Sequence, residues 1–244
     1  MTKREIEVAT SDGIATAHLF GTAATGAGVI LYMDAFGPRE ALFRMAERLA
    51  GEGYTVLVPD LFYRFGAYGP FDATTAFSTP ETATQLRAMI GGTTQAMTAA
   101  DTGFFLAALR QAGATGPVGV VGYCMGGSRA LTAAGTYPDD IAAAASFHGG
   151  NLASEAPDSP HLLADRIRAR VYVGTAGVDG SFSPEQSNRF VDAFRRAEVD
   201  FVLENYVGMT HGWCVPDHSV YDEGGAERHW RRLIVFFAET LKTR

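Results

Sequence analysis

Cysteine is scarce in this chain: Cys124 and Cys214 are the only two in 244 residues, and no C-x-x-C pair occurs. That weighs against a disulfide scaffold, which a chain long enough to bury a core does not need, and against a dithiol redox centre. Cationic residues are outnumbered, 20 Lys and Arg against 27 Asp and Glu, for a formal net charge of −7. With no run of basic residues, neither nucleic acid nor an anionic membrane surface is an expected partner. Long apolar runs are missing too. The segment Ile141–Ala145 is far shorter than the roughly 20 residues that cross a bilayer. Met1–Val8 carries two basic residues with no apolar stretch behind them, so it does not read as a secretory signal. His18, His161, His218 and His229 show no paired ligand spacing, and no metal is expected. These absences point to a cytoplasmic protein with two free thiols and a small-molecule partner.

What is present suits a folded domain. Hydrophobic residues make up 47% and charged residues 19%, well away from the composition of disordered chains, and the length favours one domain over 1–244. Apolar runs of strand length, Val29–Met33, Thr55–Val58, Val118–Val121, Ile141–Phe147, Val171–Val173 and Phe201–Leu203, alternate with helical periodicity. The helical faces are Leu42, Met45, Ala46 and Leu49; Met97, Phe104 and Ala108; Phe190, Ala193 and Phe194; and Trp230, Leu233, Phe237 and Leu241. This alternation predicts an α/β fold, a mostly parallel sheet with helices on both faces. Ser11-Asp-Gly13 between two alternating segments predicts an antiparallel hairpin at the sheet edge. Residues 61–92, with aromatics interleaved among Gly and Pro and no clear period, read as a long excursion able to wall a pocket.

Gly122-Tyr-Cys-Met-Gly126 ends an apolar strand and opens a helical stretch. Small residues on either side of Cys124 are what a strained strand-to-helix turn requires, because the two backbones approach closely there. Such a turn lifts the thiol above the sheet. The partial positive charge of a helix N-terminus favours thiolate, and the Met125 N–H points where an oxyanion would form. Read alone, the turn suits a nucleophile, with a tightly packed structural cysteine as the other reading.

Two later segments supply partners. Val171–Asp179 ends a strand in a loop carrying Asp179, and Phe201–His211 does the same for His211. The order Cys124, Asp179, His211 is the nucleophile, acid, histidine order of an α/β-hydrolase. His148-Gly-Gly150 looks like an oxyanion motif of some esterases but follows the nucleophile, so it reads as a strand-end pocket or structural residue. Cys214 reads as a packed thiol.

These residues together resemble the dienelactone hydrolase family along nearly the whole chain. The matching pieces are Met33-Asp-Ala-Phe-Gly-Pro38, Val58-Pro-Asp-Leu-Phe62, Gly122–Gly127, Ala176–Phe182 and Thr210-His-Gly-Trp213. The resemblance implies an α/β-hydrolase fold and a carboxymethylenebutenolidase-like hydrolase of carboxylic esters or lactones that needs no cofactor. It implies a Cys124, His211, Asp179 triad working through a thioester acyl-enzyme, with the N–H groups of Ala35 and Met125 as oxyanion hole. It also implies that Asp34, where the family often has glutamate, takes part in activating the cysteine. Two departures stand out: aspartate is one methylene shorter than glutamate, and Val215 stands where a carboxylate-holding arginine occurs in the family. Phe36, Tyr63, Arg64, Arg87 and Trp213 are the candidate pocket residues. The expected partner is a small-molecule ester or lactone, for a chain acting as a monomer or homodimer. A binding protein on the same fold without turnover is the alternative.

Overall fold

The computed structural model describes residues 3–21 and 26–242, and the 1–244 span is followed over those residues. The chain opens with β1 (Lys3–Thr10) and β2 (Gly13–Phe20), an antiparallel pair whose register closes at Thr10 opposite Gly13. Next come β3 (Gly28–Tyr32), α1 (Glu40–Gly51), β4 (Thr55–Pro59), α2 (Pro80–Gly92) and α3 (Gln95–Gln111). The second half runs β5 (Val118–Tyr123), α4 (Met125–Thr136), β6 (Ile141–Phe147), β7 (Arg170–Val178), α5 (Pro184–Arg196), β8 (Phe201–Thr210) and α6 (Glu223–Leu241). Short 3-10 turns lie at Tyr63–Phe65 and Pro160–Arg166.

All eight described strands form one sheet in the order β1-β2-β4-β3-β5-β6-β7-β8. From β4 through β8 the neighbours are parallel, while β2 meets β4 antiparallel and carries the hairpin outward. β3, β4 and β5 are buried at every position, which is why they read as continuous apolar runs rather than alternating ones. Helices cover both faces: α3 packs on α4 on one, and on the other α1 is tied to α6 through Arg48 and Glu227. No described helix is long and apolar enough to cross a membrane.

The strand order reverses direction between β3 and β5. From β3 the chain moves outward to β4, then returns to place β5 on the other side of β3. Loops leaving the carboxyl ends of β3 and β5 therefore diverge and open a crevice, the usual ligand position in such sheets. Asp34 and Ala35 lie just past β3, and Cys124 just past β5.

Two expectations need correction. The buried face of α3 is Thr98, Asp101, Thr102, Phe105, Leu106 and Leu109, whereas Phe104 is 39% exposed and Met97 and Ala108 only half-buried. An apolar count misses this face because three of its members are polar and find partners inside: Thr102 bonds Tyr32 at 2.7 Å, Asp101 accepts from Arg64 at 2.8 Å, and Thr98 bonds the Thr94 carbonyl. The 61–92 excursion also ends in a regular helix, α2. Pro80 occupies its first turn and Ala83, Leu86 and Met89 bury one face at a spacing of three.

The glycines of the β5–α4 junction carry a direct prediction. A Cβ on Gly122 would lie 1.9 Å from the Gly126 carbonyl oxygen, a backbone atom that cannot rotate aside, whereas one on Gly91 near the end of α2 meets nothing within 4 Å. Gly122→Ala should destabilise by about 3 kcal/mol or more, and Gly91→Ala should be neutral or stabilising by up to about 1 kcal/mol. Urea denaturation of the two variants checks this, and equal midpoints would contradict it.

Candidate active site

Cys124 sits between β5 and α4 with φ 56° and ψ −121°. A non-glycine residue there is strained by on the order of 1–3 kcal/mol and persists only where its surroundings impose it. They do so here in three ways. The Cys124 N–H is shared between the Phe147 carbonyl at 3.2 Å and His148 Nδ1 at 3.1 Å. Its carbonyl accepts the Gly127 N–H at 3.0 Å. The strand and helix also close to distances that only glycine permits: a Cβ on Gly126 would be 2.5 Å from the Tyr32 and Met33 carbonyls, and one on Gly127 would be 2.4 Å from Ser146 Oγ.

Asp179 and His211 are brought together by strand register. β7 and β8 are parallel neighbours with Val178 opposite Thr210, so the next residue of each falls side by side. His211 Nδ1 lies 2.7 Å from Asp179 Oδ2. The other carboxylate oxygen is held by Ser181, whose N–H and hydroxyl donate to Oδ1 at 2.8 and 2.6 Å. Ser181 carries no catalytic motif of its own, and the one signal that points to it is an aspartate followed two residues on by serine, a side-chain turn signature. Burial alone would lower the His211 pKa; the Asp179 carboxylate and the nearby Cys124 sulfur outweigh it and push it up to about 10. Burial likewise opposes Asp179's charge, and His211 and Ser181 reverse that, holding its pKa below the usual value.

His148 completes the back of the turn. It is buried at the end of β6, accepts the Cys124 N–H, and stands edge-on to His211 at 4.8 Å and to Trp213 at 5.3 Å. Burial first, and then the neighbouring His211 and His218, push its pKa well below the ordinary value, so it stays neutral and able to accept. The strand-end reading of this residue holds.

Asp34 is wholly buried and its oxygens are engaged elsewhere. Arg39 grips them in a fork at 2.6 and 2.9 Å, His218 Nε2 lies 3.0 Å from Oδ2, and the Phe36 N–H donates to Oδ1 at 3.0 Å. Burial would raise its pKa, but His218 and Arg39 hold it well below the usual range. Arg39 is shared with Asp217 at 2.6 and 2.7 Å. The described hydrogen bonds of Asp34 do not include Cys124.

Two cavities meet at Cys124. One, of about 630 Å³, is lined by Ala35, Met125, Arg129, Asn151 and Ser181 among others; the second, of about 570 Å³, by Phe36, Ala73, His218 and Val220 among others. Ala35, Phe77, Cys124 and His211 belong to both. Among the described residues neither the Ala35 nor the Met125 N–H is assigned an acceptor, and both residues line the larger cavity together with Cys124. The 61–92 excursion does wall the site, through Phe77 and α2.

Of the five pocket candidates, Phe36 lines the second cavity and the other four line neither. Tyr63 donates to Asp101 at 3.1 Å and meets Thr10 at 2.7 Å, and Arg64 is held by Asp12 and Asp101, so both secure the excursion to the hairpin and α3. Arg87 is exposed on α2 and lines neither cavity. Trp213 is fully buried, 4.8 Å from Tyr206, behind His148. Among the described residues, no group of three or more His, Cys, Asp or Glu could hold a metal ion.

A parallel sheet with a strained nucleophile-type elbow after β5, and an acid and a histidine after the last two strands, defines the α/β-hydrolase class. The sequence profile of the dienelactone hydrolase family matches residues 14–241, and the chain belongs to that family. It is 27% identical over 233 residues to a carboxymethylenebutenolidase of Rhodococcus opacus, covering 92% of this chain and 86% of that protein. Among solved structures, it resembles a dienelactone hydrolase-like promiscuous phosphotriesterase from metagenomic libraries, with TM-score 0.78 at 24% identity and 98% of each chain covered. It also resembles the dienelactone hydrolase of Anabaena variabilis, with TM-score 0.68 at 17% identity, again over 98% of each chain.

The His211 environment sets a pH dependence. A histidine whose folded pKa, about 10, exceeds its unfolded value of roughly 6.5 contributes stability that is fully present below the unfolded value and is lost as pH rises through the folded one. The stability advantage of wild type over His211→Gln should therefore be greatest near pH 6 and shrink steadily toward pH 10. Denaturant titrations at several pH values measure it; a difference constant over that range would contradict the assignment.

Proposed function

We propose that the protein hydrolyses carboxylic esters or lactones with Cys124 as nucleophile. The observation that carries this is the strained Cys124 at the meeting point of two cavities, with His211 beside it and Asp179 fixed 2.7 Å from the far side of the imidazole. With Nδ1 committed to Asp179, Nε2 is the nitrogen left to take the thiol proton. The sulfur attacks the substrate carbonyl, and the Ala35 and Met125 N–H groups receive the oxyanion. Collapse of the tetrahedral intermediate releases the alcohol, which takes its proton from His211. A thioester then links the acyl group to Cys124. Water, deprotonated by His211, attacks that thioester and returns the free thiol and the acid.

Asp34 acts here as a positioning residue. Its fork with Arg39 fixes the backbone just past β3, and with it the Ala35 N–H. The shorter side chain, relative to the glutamate frequent in the family, suits a carboxylate that holds a half-buried cation.

Purified protein should turn over a small neutral aryl ester, dienelactone, or both. Cys124→Ala should lose about 10⁴-fold or more in kcat/KM, and Asp179→Asn about 10²- to 10⁴-fold. Retained activity in Cys124→Ala would defeat the reading. Quenched reactions of wild type should show Cys124 heavier by the mass of the acyl group.

A further inference from the structure

One side chain stands in both cavities without a part in the proposed reaction. Ala35, Phe77, Cys124 and His211 line both spaces, and the mechanism uses three of them, as oxyanion donor, nucleophile and base. Phe77 is the fourth. It comes from the 61–92 excursion, in the run of turns between Asp72 and α2. Its surroundings in that excursion are divided: Ala73, Thr74 and Ser78 line only the second cavity, whereas Ile90 and Gly91, near the end of α2, line only the larger one. The ring therefore stands where the two spaces join, and Cys124 lies at the same junction.

Phe77 is 44% exposed, while Ala76 beside it is buried. Turning inward would remove apolar surface from water, so an aromatic ring left this open is held by the chain that carries it. Asp72 Oδ1 accepts the N–H and the hydroxyl of Thr74 at 2.8 and 2.7 Å. The Ala76 N–H donates to the Asp72 carbonyl at 2.8 Å, and the Ser78 N–H to the Thr75 carbonyl at 2.9 Å. Pro80 then sets the first turn of α2. The ring itself meets Phe36 edge-on, with centroids 5.5 Å apart, and buried Phe36 stands edge-on to His218 at 5.3 Å. Such edge-to-face pairs fix orientation as well as burying area.

We infer that Phe77 is a ridge that parts the acyl limb of the substrate from its alcohol limb, and so is a specificity-determining residue. Resting on the hydrolase reading above, this narrows the substrate class to an open-chain ester that is unbranched beside its carbonyl. The carbonyl carbon that Cys124 attacks has to sit at the junction, which sends one limb to each side of the ring. A limb that is linear next to the carbonyl lies against a face of the ring and gains contact there. One branched at that atom needs volume that the ring occupies. A small lactone, whose limbs are tied into one ring, cannot place a limb in each cavity.

Two isomeric aryl esters with the same phenol, the butanoate and the 2-methylpropanoate, test the inference. Their kcat/KM ratio is divided by the ratio of their hydroxide-catalysed rates, which removes intrinsic reactivity. Wild type should favour the linear ester by about tenfold or more on this scale. Phe77→Ala should bring the corrected ratio close to one, and Phe77→Trp should raise it above wild type. Because the described hydrogen bonds of the turn do not involve this side chain, the ring can be removed without breaking them. Phe77→Leu, which keeps an apolar group against Phe36, should lower the ratio part of the way and carries the test if Phe77→Ala does not fold. A corrected wild-type ratio near one, or a ratio unmoved by shortening Phe77, would overturn the inference while leaving the hydrolase reading standing. Absence of Cys124-dependent turnover of both esters would defeat the hydrolase reading itself.

Discussion

At Cys124 the backbone must leave a buried strand and enter a helix within one residue, and the contact that makes this possible is the bare approach of Gly122 to the Gly126 carbonyl. A methyl group there would sit 1.9 Å from that oxygen. Because the glycines let the two backbones close, Cys124 is driven to positive φ, its side chain leaves the plane of the sheet, and α4 begins immediately behind it. The rest of the site is arranged around that fixed point. Met125 lies past it in the first turn of α4, Ala35 comes from the adjacent strand β3, and His148 comes from β6 on the other side.

The ionisable groups fall into two layers. In the one that meets the cavity, Asp179 and His211 share a short contact that keeps the histidine protonated more readily than usual, and Ser181 holds the carboxylate. Behind it, Asp34, Arg39, Asp217 and His218 form a connected network in which the carboxylate's oxygens are filled. Buried ion pairs of this kind add little net stability, but breaking one leaves a stranded charge. Their value is geometric, since the network joins the loop after β3 to the loop after β8 and so relates Ala35 to His211.

The two cavities differ in chemistry as well as in shape. One is walled by Phe36, Phe77 and Val220, and the other contains Arg129, Asn151 and Asp158.

The parallel sheet was legible because strands buried on both faces must be apolar throughout, and the elbow because glycine is required where backbones touch. The order Cys124, Asp179, His211 was legible because each residue directly follows a strand. The buried face of α3 is not legible from apolar spacing, since Asp101 and Thr102 are buried with partners that lie far away in the chain and Thr98 with the carbonyl one turn before it, and apolar periodicity cannot register a satisfied polar group. Tyr63, Arg64 and Trp213 line neither cavity at Cys124, which no local pattern shows, because an aromatic or cationic residue in a loop carries no mark of which surface it will meet. The sequence by itself determined the order of strands and helices, the strained cysteine and the placing of Asp179 and His211 directly after strands, because these follow from local sterics and periodicity. Tertiary structure alone decided which groups meet each carboxylate oxygen, that Asp34 belongs to Arg39 and His218, and that Arg129 lines a cavity with no ion pair among the described residues, because pairing between distant segments depends on strand order and register.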